Sequence, residues 1–346
     1  MKTVHLINDF NSSFYLDLFS NFNSNNHIVL SSYRVSKHRL NLEYQNINVV
    51  HKYIKKRIFV LQYFFVIRRL LKKTHIIIHT HSSSYEGILA LMCKFFFGIE
   101  YIYTIRNTDV SKTITSKLGR IFFDYLILES KYVVIKSKTY TRFIPEEYKH
   151  KIKFIPNGLN QFWINNFIDS KTSNNDVINV LCVADFYCNK NHKNLISAIE
   201  SINRKEIICR LTLVARDQGD CKQAVLSKIT STNFITLKES LNKQELLKEY
   251  RNADIFCMNS MFETFGLVYV EALSQQLPII YTLQQGVDGV IPAVYGEGCL
   301  TDSLSIEKAL RNQIAKIHVD VSTPVEKTFI DTYEWKKIAM KYEALY

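Results

Sequence analysis

The sequence predicts an α/β protein of two Rossmann-like domains facing a central cleft, and three observations carry that expectation. Short β-forming runs alternate with helix-length segments along the chain, the pattern of parallel strands joined by helical crossovers. The alternation stops once, at residues 156–179, where Pro156, Gly158 and many Asn and Ser leave no long apolar period, so this run reads as a linker. The 346 residues also exceed the roughly 250–300 that a single hydrophobic core holds.

The strand candidates before the linker are 4–8, 27–31, 47–50, 75–79, 100–105, 132–136 and 153–156. Each is a run of Val, Ile, Leu, Tyr or Phe, side chains that pack well on a pleated surface. Helix-length segments lie between them at 83–97 and 113–128. After the linker the pattern restarts at 177–184 and continues with strand candidates at 207–215, 233–237, 254–259 and 278–282. Helix candidates there are 191–203, 242–252, 265–276, 303–317 and 333–345. No tandem repeat with a period of 20–50 residues is seen. Ligands of such sheets bind beyond the carboxyl ends of the strands.

Composition narrows the class. Ten Gly, five Pro and 47% hydrophobic residues exclude collagen-like and disordered chains. No uncharged apolar run nears the roughly 18–20 residues of a membrane span, and the N-terminal residues do not resemble a secretory signal. The seven cysteines (93, 182, 188, 209, 221, 257 and 299) form no C-x-x-C pair or Cys/His cluster, so neither a disulfide framework nor a structural zinc site is expected, and a reducing cytoplasm fits.

Charge is uneven. Residues 1–170 hold 24 Lys and Arg against 11 Asp and Glu, whereas residues 171–346 hold 20 against 21. Within the first half, residues 34–73 carry eleven basic residues and a single acid, Glu43. The segment 53–73 sets Lys55, Lys56 and Arg57 at one end of an apolar run containing Phe64, Phe65 and Ile67, with Arg68, Arg69, Lys72 and Lys73 at the other. Basic flanks around apolar side chains suit an anionic membrane surface; a core helix with solvated ends is the competing reading. Nucleic acid would need the charge but not the aromatic residues, and is not expected as a partner.

Two phosphate-binding signatures are missing. The first strand is followed by NDFNSS rather than G-x-G-x-x-G, and no P-loop occurs; Gly296 and Gly298 come late, without a strand-then-helix context. The positive signal is residues 258–282, MNSMFETFGLVYVEALSQQLPIIYT, where Glu263 and Glu271 are separated by seven residues. A strand ends just before them, Ser260 and a short loop follow, and an apolar helix begins near Phe265, Gly266 and Leu267. Its free N–H groups would face a diphosphate, with one carboxylate reaching a sugar and the other a ribose.

That segment resembles the E-x7-E motif of the retaining GT-B glycosyltransferases of family 4. IPNGLN (155–160), VADFYCNKNHKNLISAI (183–199), IIIHTHSS (76–83), YIYTIRNTDV (101–110) and YEWKKIAMKYEALY (333–346) are similar to other family segments in the same order, so the likeness spans essentially the whole chain. It implies an N-terminal acceptor-side domain over 1–160, a donor domain over 161–332, and a last helix over 333–346 returning to the first domain. It also implies roles for single residues. Glu263 would contact donor-sugar hydroxyls, Glu271 the ribose, and Lys190 the diphosphate, with Lys193 as a second cation. Arg106 would be a catalytic cation near the donor phosphate or acceptor. His79 and His81 stand at a strand end, where ligands bind, and are read either as acceptor-side and catalytic residues or as histidines buried beside a packed strand; Asp109 is read equally as a loop cap or an acceptor contact. No bound metal or cofactor is implied beyond the nucleotide sugar. The chain departs from the family at Asp185, where an Arg is usual; an acid beside a diphosphate repels, so Asp185 is expected to turn away. It departs again at NDFNSS, for a small-residue turn, and at Arg106, for a His.

The expectation is therefore a hexosyltransferase that acts without metal and moves a sugar from a nucleotide-diphosphate donor to a lipid-linked glycan in bacterial surface polysaccharide synthesis, at the inner face of the plasma membrane. A nucleotide-sugar epimerase of the same architecture and a non-catalytic peripheral membrane protein remain as alternative readings.

Overall fold

A computed structural model describes residues 1–7, 13–24, 26–31, 47–51, 56–171, 176–319 and 323–346. The NDFNSS turn, much of the basic stretch 34–55 and Lys55 itself fall outside those residues, and the side chains of Lys56 and Arg57 are likewise not described. The chain forms two compact units. The first comprises Met1–Lys136, Tyr140–Gly158 and Tyr333–Tyr346; the second comprises Ser137–Thr139 and Leu159–Thr332.

The first unit is built on seven strands: β1 (Lys2–Ile7), β2 (His27–Ser31), β3 (Ile47–His51), β4 (Ile76–Thr80), β5 (Tyr101–Thr104), β6 (Tyr132–Ile135) and β7 (Ile152–Phe154). All pair in parallel in the order β3-β2-β1-β4-β5-β6-β7, so the order reverses between β1 and β4. Helices cover both faces. On one lie α2 (Lys56–Leu71), α3 (Tyr85–Phe97) and α5 (Lys117–Glu129), which pack Tyr63, Ile67, Leu89, Cys93, Phe123 and Leu126 against Val4, Leu6 and Ile78. On the other lie α1 (Ser13–Ser20) and α13 (Trp335–Glu343), bringing Tyr15, Phe19, Trp335, Ile338 and Tyr342 onto Ile7, Val29 and Ile77. Alternate residues of β1 thus serve opposite cores, which is why its apolar run is nearly unbroken. The short helix α4 (Asn107–Ser111) follows β5. The C-terminal helix is locked by a close approach, since a Cβ on Gly158 would collide with the Trp335 indole.

The second unit has six parallel strands: β8 (Ile178–Val183), β9 (Cys209–Ala215), β10 (Ile235–Glu239), β11 (Ile255–Cys257), β12 (Ile279–Thr282) and β13 (Gly296–Cys299). Their order is β10-β9-β8-β11-β12-β13, reversing between β8 and β11. Its helices are α6 (Gln161–Asn165), α7 (His192–Ile202), α8 (Lys222–Thr230), α9 (Lys243–Asn252), α10 (Leu267–Ser274), α11 (Ser303–His318) and α12 (Lys327–Asp331).

The expected strands all form, within a few residues at their ends. Four features differ. Helices α1 and α8 were not anticipated. The pair Gly296 and Gly298 lies inside β13, followed by α11, although its sequence carries little β-propensity; a side chain at Gly296 would strike the Ile279 carbonyl, so packing against β12 selects glycine there. The linker reading also fails in part. Asn160 accepts a hydrogen bond from the Phe162 N–H at 3.1 Å and caps α6, whose Trp163 is fully buried and edge-on to Tyr250 with ring centroids 5.2 Å apart.

Candidate functional site

The reversal of strand order in the second unit places the loops after β8 and β11 side by side, the point where open parallel sheets bind ligands. The chain after β8 makes a short 3-10 turn, Cys188–Lys190, and the chain after β11 carries Ser260 and Glu263. Lys190 Nζ donates to Glu263 Oε2 at 2.7 Å, with both side chains largely buried. Glu263 is fixed at its other oxygen by the Thr264 N–H at 3.0 Å, while its own N–H reaches Gln285 Oε1 at 3.3 Å. The loop after β12 closes over it: the Gly286 N–H donates to the Glu263 carbonyl at 3.0 Å. Gly286 has φ 49°, and a Cβ there would lie 2.8 Å from the Phe265 carbonyl oxygen, so only glycine suits this turn.

Helix α10 starts at Leu267, after buried Phe265 and after Gly266 at φ 82°. Among the described residues no side chain caps it; the Tyr269 N–H turns back to the Gly266 carbonyl at 3.1 Å, and the Leu267 and Val268 N–H groups are left open. Beside it, the side-chain polar atoms of Asn259 and Ser260, and the Thr282 hydroxyl, are buried without a hydrogen-bond partner. Each such group costs about 1–3 kcal/mol unless water or a ligand satisfies it, and here they cluster at the carboxyl ends of β11 and β12.

The second carboxylate faces inward. Glu271 Oε2 accepts from the Tyr250 hydroxyl at 3.0 Å, and burial pushes its acid up to about 7 against hydrogen bonds from Tyr250 and Trp163. Lys193, on the first turn of α7, is exposed to solvent.

Asp185 does turn to another partner. Its carboxylate takes Arg216 Nη2 at 2.5 Å, Arg216 Nε at 3.1 Å and Gln218 at 2.6 Å. These hydrogen bonds hold the acid below its ordinary value despite partial burial. Its carbonyl meets His192 Nε2 at 3.0 Å, which steadies the start of α7.

One cysteine expectation is corrected. Cys188 and Cys221, 33 residues apart with Cα atoms 5.0 Å apart, form a disulfide that ties the Lys190 turn to the segment before α8. The sequence could not show it, because the pairing depends on β8 and β9 lying side by side. The other five cysteines are free and buried.

In the first unit the predicted residues take different roles. Asp109 is buried and serves the loop itself. One oxygen accepts from the Ser83 N–H at 3.1 Å and hydroxyl at 2.6 Å; the other accepts from the Tyr103 hydroxyl and the Arg106 N–H, both at 2.9 Å. It joins the loops after β4 and β5, the loop-capping arrangement that the sequence offered beside an acceptor contact. His79 and His81 are also closed off from solvent, at 0% and 2% exposure, so the expected substrate contacts find no open face there. Burial lowers both rings, with His79 falling to about 3. Arg106 is half-buried, its guanidinium 5.4 Å from the centre of the Tyr15 ring.

Residues that the sequence reading missed are Asn259, Gln285, Gly286 and Asn191. The last, at φ 59°, donates to the Thr301 carbonyl at 2.7 Å. Only the G-V-D-G turn after β12 gave any sequence signal for the closing loop.

Comparison with known proteins agrees with this geometry. Residues 164–321 match the family model for glycosyl transferases group 1. An uncharacterised glycosyltransferase of Methanocaldococcus jannaschii is 26% identical over 288 residues, covering 78% of this chain and 74% of its own. The alpha-monoglucosyldiacylglycerol synthase of Acholeplasma laidlawii is 25% identical over 68% of this chain and 64% of its own. Among solved structures, Anabaena HepE in complex with UDP superposes with a TM-score of 0.74 at 14% identity, covering 100% of this chain and 99% of that one. The two doubly wound units and the structural match give the chain the GT-B architecture, and its second unit is similar to the glycosyl transferases group 1.

Proposed function

We propose that the protein transfers a hexose, with retention of anomeric configuration as in family 4, from a nucleoside-diphosphate sugar to a lipid-linked glycan in bacterial surface polysaccharide synthesis. The observation that carries this reading is the Lys190–Glu263 pair at the switch point of the second unit, beside the open N-terminus of α10 and the orphaned Asn259, Ser260 and Thr282. In the reaction the bond from sugar C1 to the diphosphate oxygen breaks and the acceptor oxygen bonds to C1 on the same face as it loses its proton. The departing diphosphate gains negative charge, which Lys190 and the helix N–H groups stabilise with no metal needed at that position. Lys190 then exchanges Glu263 for phosphate, and the freed carboxylate takes sugar hydroxyls. Glu271 serves the ribose, residues 161–332 act as the donor domain and residues 1–160 as the acceptor domain. HepE bound to UDP, a protein of the same fold, supports a nucleotide donor.

The lipid-linked acceptor and attachment to the inner face of the plasma membrane rest on the first unit. One face of α2 is buried through Tyr63 and Ile67, and the other exposes Leu61, Phe65, Arg68, Arg69, Lys72 and Lys73. The end of the neighbouring α3 adds Phe95 and Phe96, exposed at 80% and 61%. Among the described residues no helix is long and apolar enough to cross a membrane, so this face would lie on the surface. The relative named for monoglucosyldiacylglycerol synthesis is compatible with a lipid acceptor.

The test is a panel of nucleotide sugars with nucleotide release followed in time, and NMR of the anomeric centre in the product. Slow donor hydrolysis without acceptor and a retained anomer are expected. An inverted product rejects retention, and failure to bind any donor rejects the whole reading.

A further inference from the structure

Four of the ten histidines, drawn from three separate parts of the chain, gather in one buried layer of the first unit. His5 on β1 stands opposite His79 in the parallel register of β1 and β4, His81 follows β4, and His27 is on β2. All four are at most 2% exposed. His5 Nδ1 lies 3.3 Å from His81 Nε2, and His5 Nε2 lies 3.1 Å from His27 Nδ1. The far side of His27 meets Ser24 Oγ at 2.9 Å and the Glu343 carboxylate at 3.7 Å. His79 is held between the Tyr346 and Thr104 hydroxyls, each at 2.7 Å.

We propose that His5, His79 and His81 form a binding site for a late first-row transition-metal ion, with Zn2+ as the reference ligand, outside the donor-binding loops. One nitrogen from each ring lies within 4.8 Å of the other two. The His5–His81 separation already matches the edge of a tetrahedron with bonds of about 2.0–2.1 Å, which is about 3.3–3.4 Å. His79 completes the set by offering Nδ1 in place of its bond to Tyr346, with the Thr104 bond kept as an orienting contact. The Tyr346 hydroxyl, or a water in its place, is then beside the fourth position.

The surroundings hold one of the rings in place. The chain His5–His27–Glu343 is the outer arrangement that orients ligating imidazoles, a ring nitrogen passing its proton outward to a carboxylate. A metal is bound by the neutral imidazole through a ring nitrogen that carries no proton. Imidazoles with no carboxylate among the three ligands suit Zn2+, Cu2+ or Ni2+ and disfavour Mg2+ or Ca2+. Two ligands stand on paired strands and the third just past one of them, a rigid frame for such a site.

The experiment uses the full chain without an affinity tag, stripped by chelator and kept oxidised so that Cys188 and Cys221 remain bonded. Calorimetry with Zn2+ should find one tight equivalent, Co2+ should give the visible bands of a four-coordinate centre, and Mg2+ should give neither. His81→Gln and His5→Gln should abolish both signals, and His27→Gln should weaken binding by roughly 10–100-fold. X-ray absorption on the wild-type zinc form, which needs no variant to fold, should count imidazole ligands and no sulfur. Absence of stoichiometric Zn2+ or Co2+ binding overturns the proposal, as does binding that survives His5→Gln and His81→Gln or a sulfur signature in the absorption spectrum.

Discussion

The two units share one architecture and differ in what they place where the strand order reverses. In the second unit the loops after β8 and β11 present Lys190 paired with Glu263, an uncapped helix start and three polar groups without partners. In the first, the corresponding position between β1 and β4 is filled by His5, His79 and His81, which partner one another and their neighbours under α1 and α13. Among the described residues one switch point keeps polar groups without partners, and the other is packed with histidines that hydrogen-bond one another and their neighbours. A sheet topology therefore supplies a place for a ligand, and whether the place is open depends on the side chains and helices laid over it.

The strongest way to break this contrast is Glu263→Ala. Transfer should fall by roughly 100-fold or more, about 2.7 kcal/mol in the barrier, with the melting temperature little changed. Retention of more than about a tenth of the activity (a loss of only ~1.4 kcal/mol) would remove Glu263 from the site.

Lys190→Ala should weaken nucleoside-diphosphate binding by roughly 10–100-fold and leave nucleoside binding alone, because a charged hydrogen bond contributes about 1.5–3 kcal/mol. Equal loss for both ligands in calorimetry would mean that Lys190 only positions Glu263.

The basic surface separates the units in another way. Replacing Arg68, Arg69, Lys72 and Lys73 with Gln should release the protein from anionic vesicles, each charge contributing roughly 1 kcal/mol before screening. Added salt should mimic the change, and transfer to a soluble acceptor analogue should persist. Sedimentation with vesicles that ignores all four substitutions would leave α2 as an ordinary core helix.

The smallest effect concerns Glu271. Its folded acid is near 7, above the ordinary 4.5, so the folded state binds the extra proton between those values. Its contribution to stability is present below pH 4.5 and is lost as pH rises through about 7. Glu271→Gln should flatten the melting temperature across that window, and an unchanged profile would assign the slope to other groups. If Glu271 accepts ribose hydroxyls, donor binding should also tighten as pH rises through about 7.

Much of this was legible in the chain. Val, Ile and Tyr runs are local signals, and all expected strands appear with shifted ends, because a β-branched run buried on both sides has few other options. The loop carrying Glu263 and the turn carrying Lys190 were legible for a similar reason: each follows a strand end, and strand ends were readable.

What the sequence by itself determined is the alternation, the uneven charge and the chemistry available at each strand end. Tertiary structure decided how that chemistry is used. Gly296 enters a strand because Ile279 leaves no room for a Cβ, and Asp185 pairs with Arg216, which directly follows the adjacent β9. Glu271 becomes a weak acid only through burial, which outweighs the hydrogen bonds of Tyr250 and Trp163, and Cys188 finds Cys221 only once β8 pairs with β9. His79 reads as a loop ligand until the C-terminal segment brings Tyr342 and Tyr346 against it from the far end of the chain. Propensity and period act over a few residues, whereas burial, charge compensation and close approach are set by partners tens to hundreds of positions away, which no local pattern encodes.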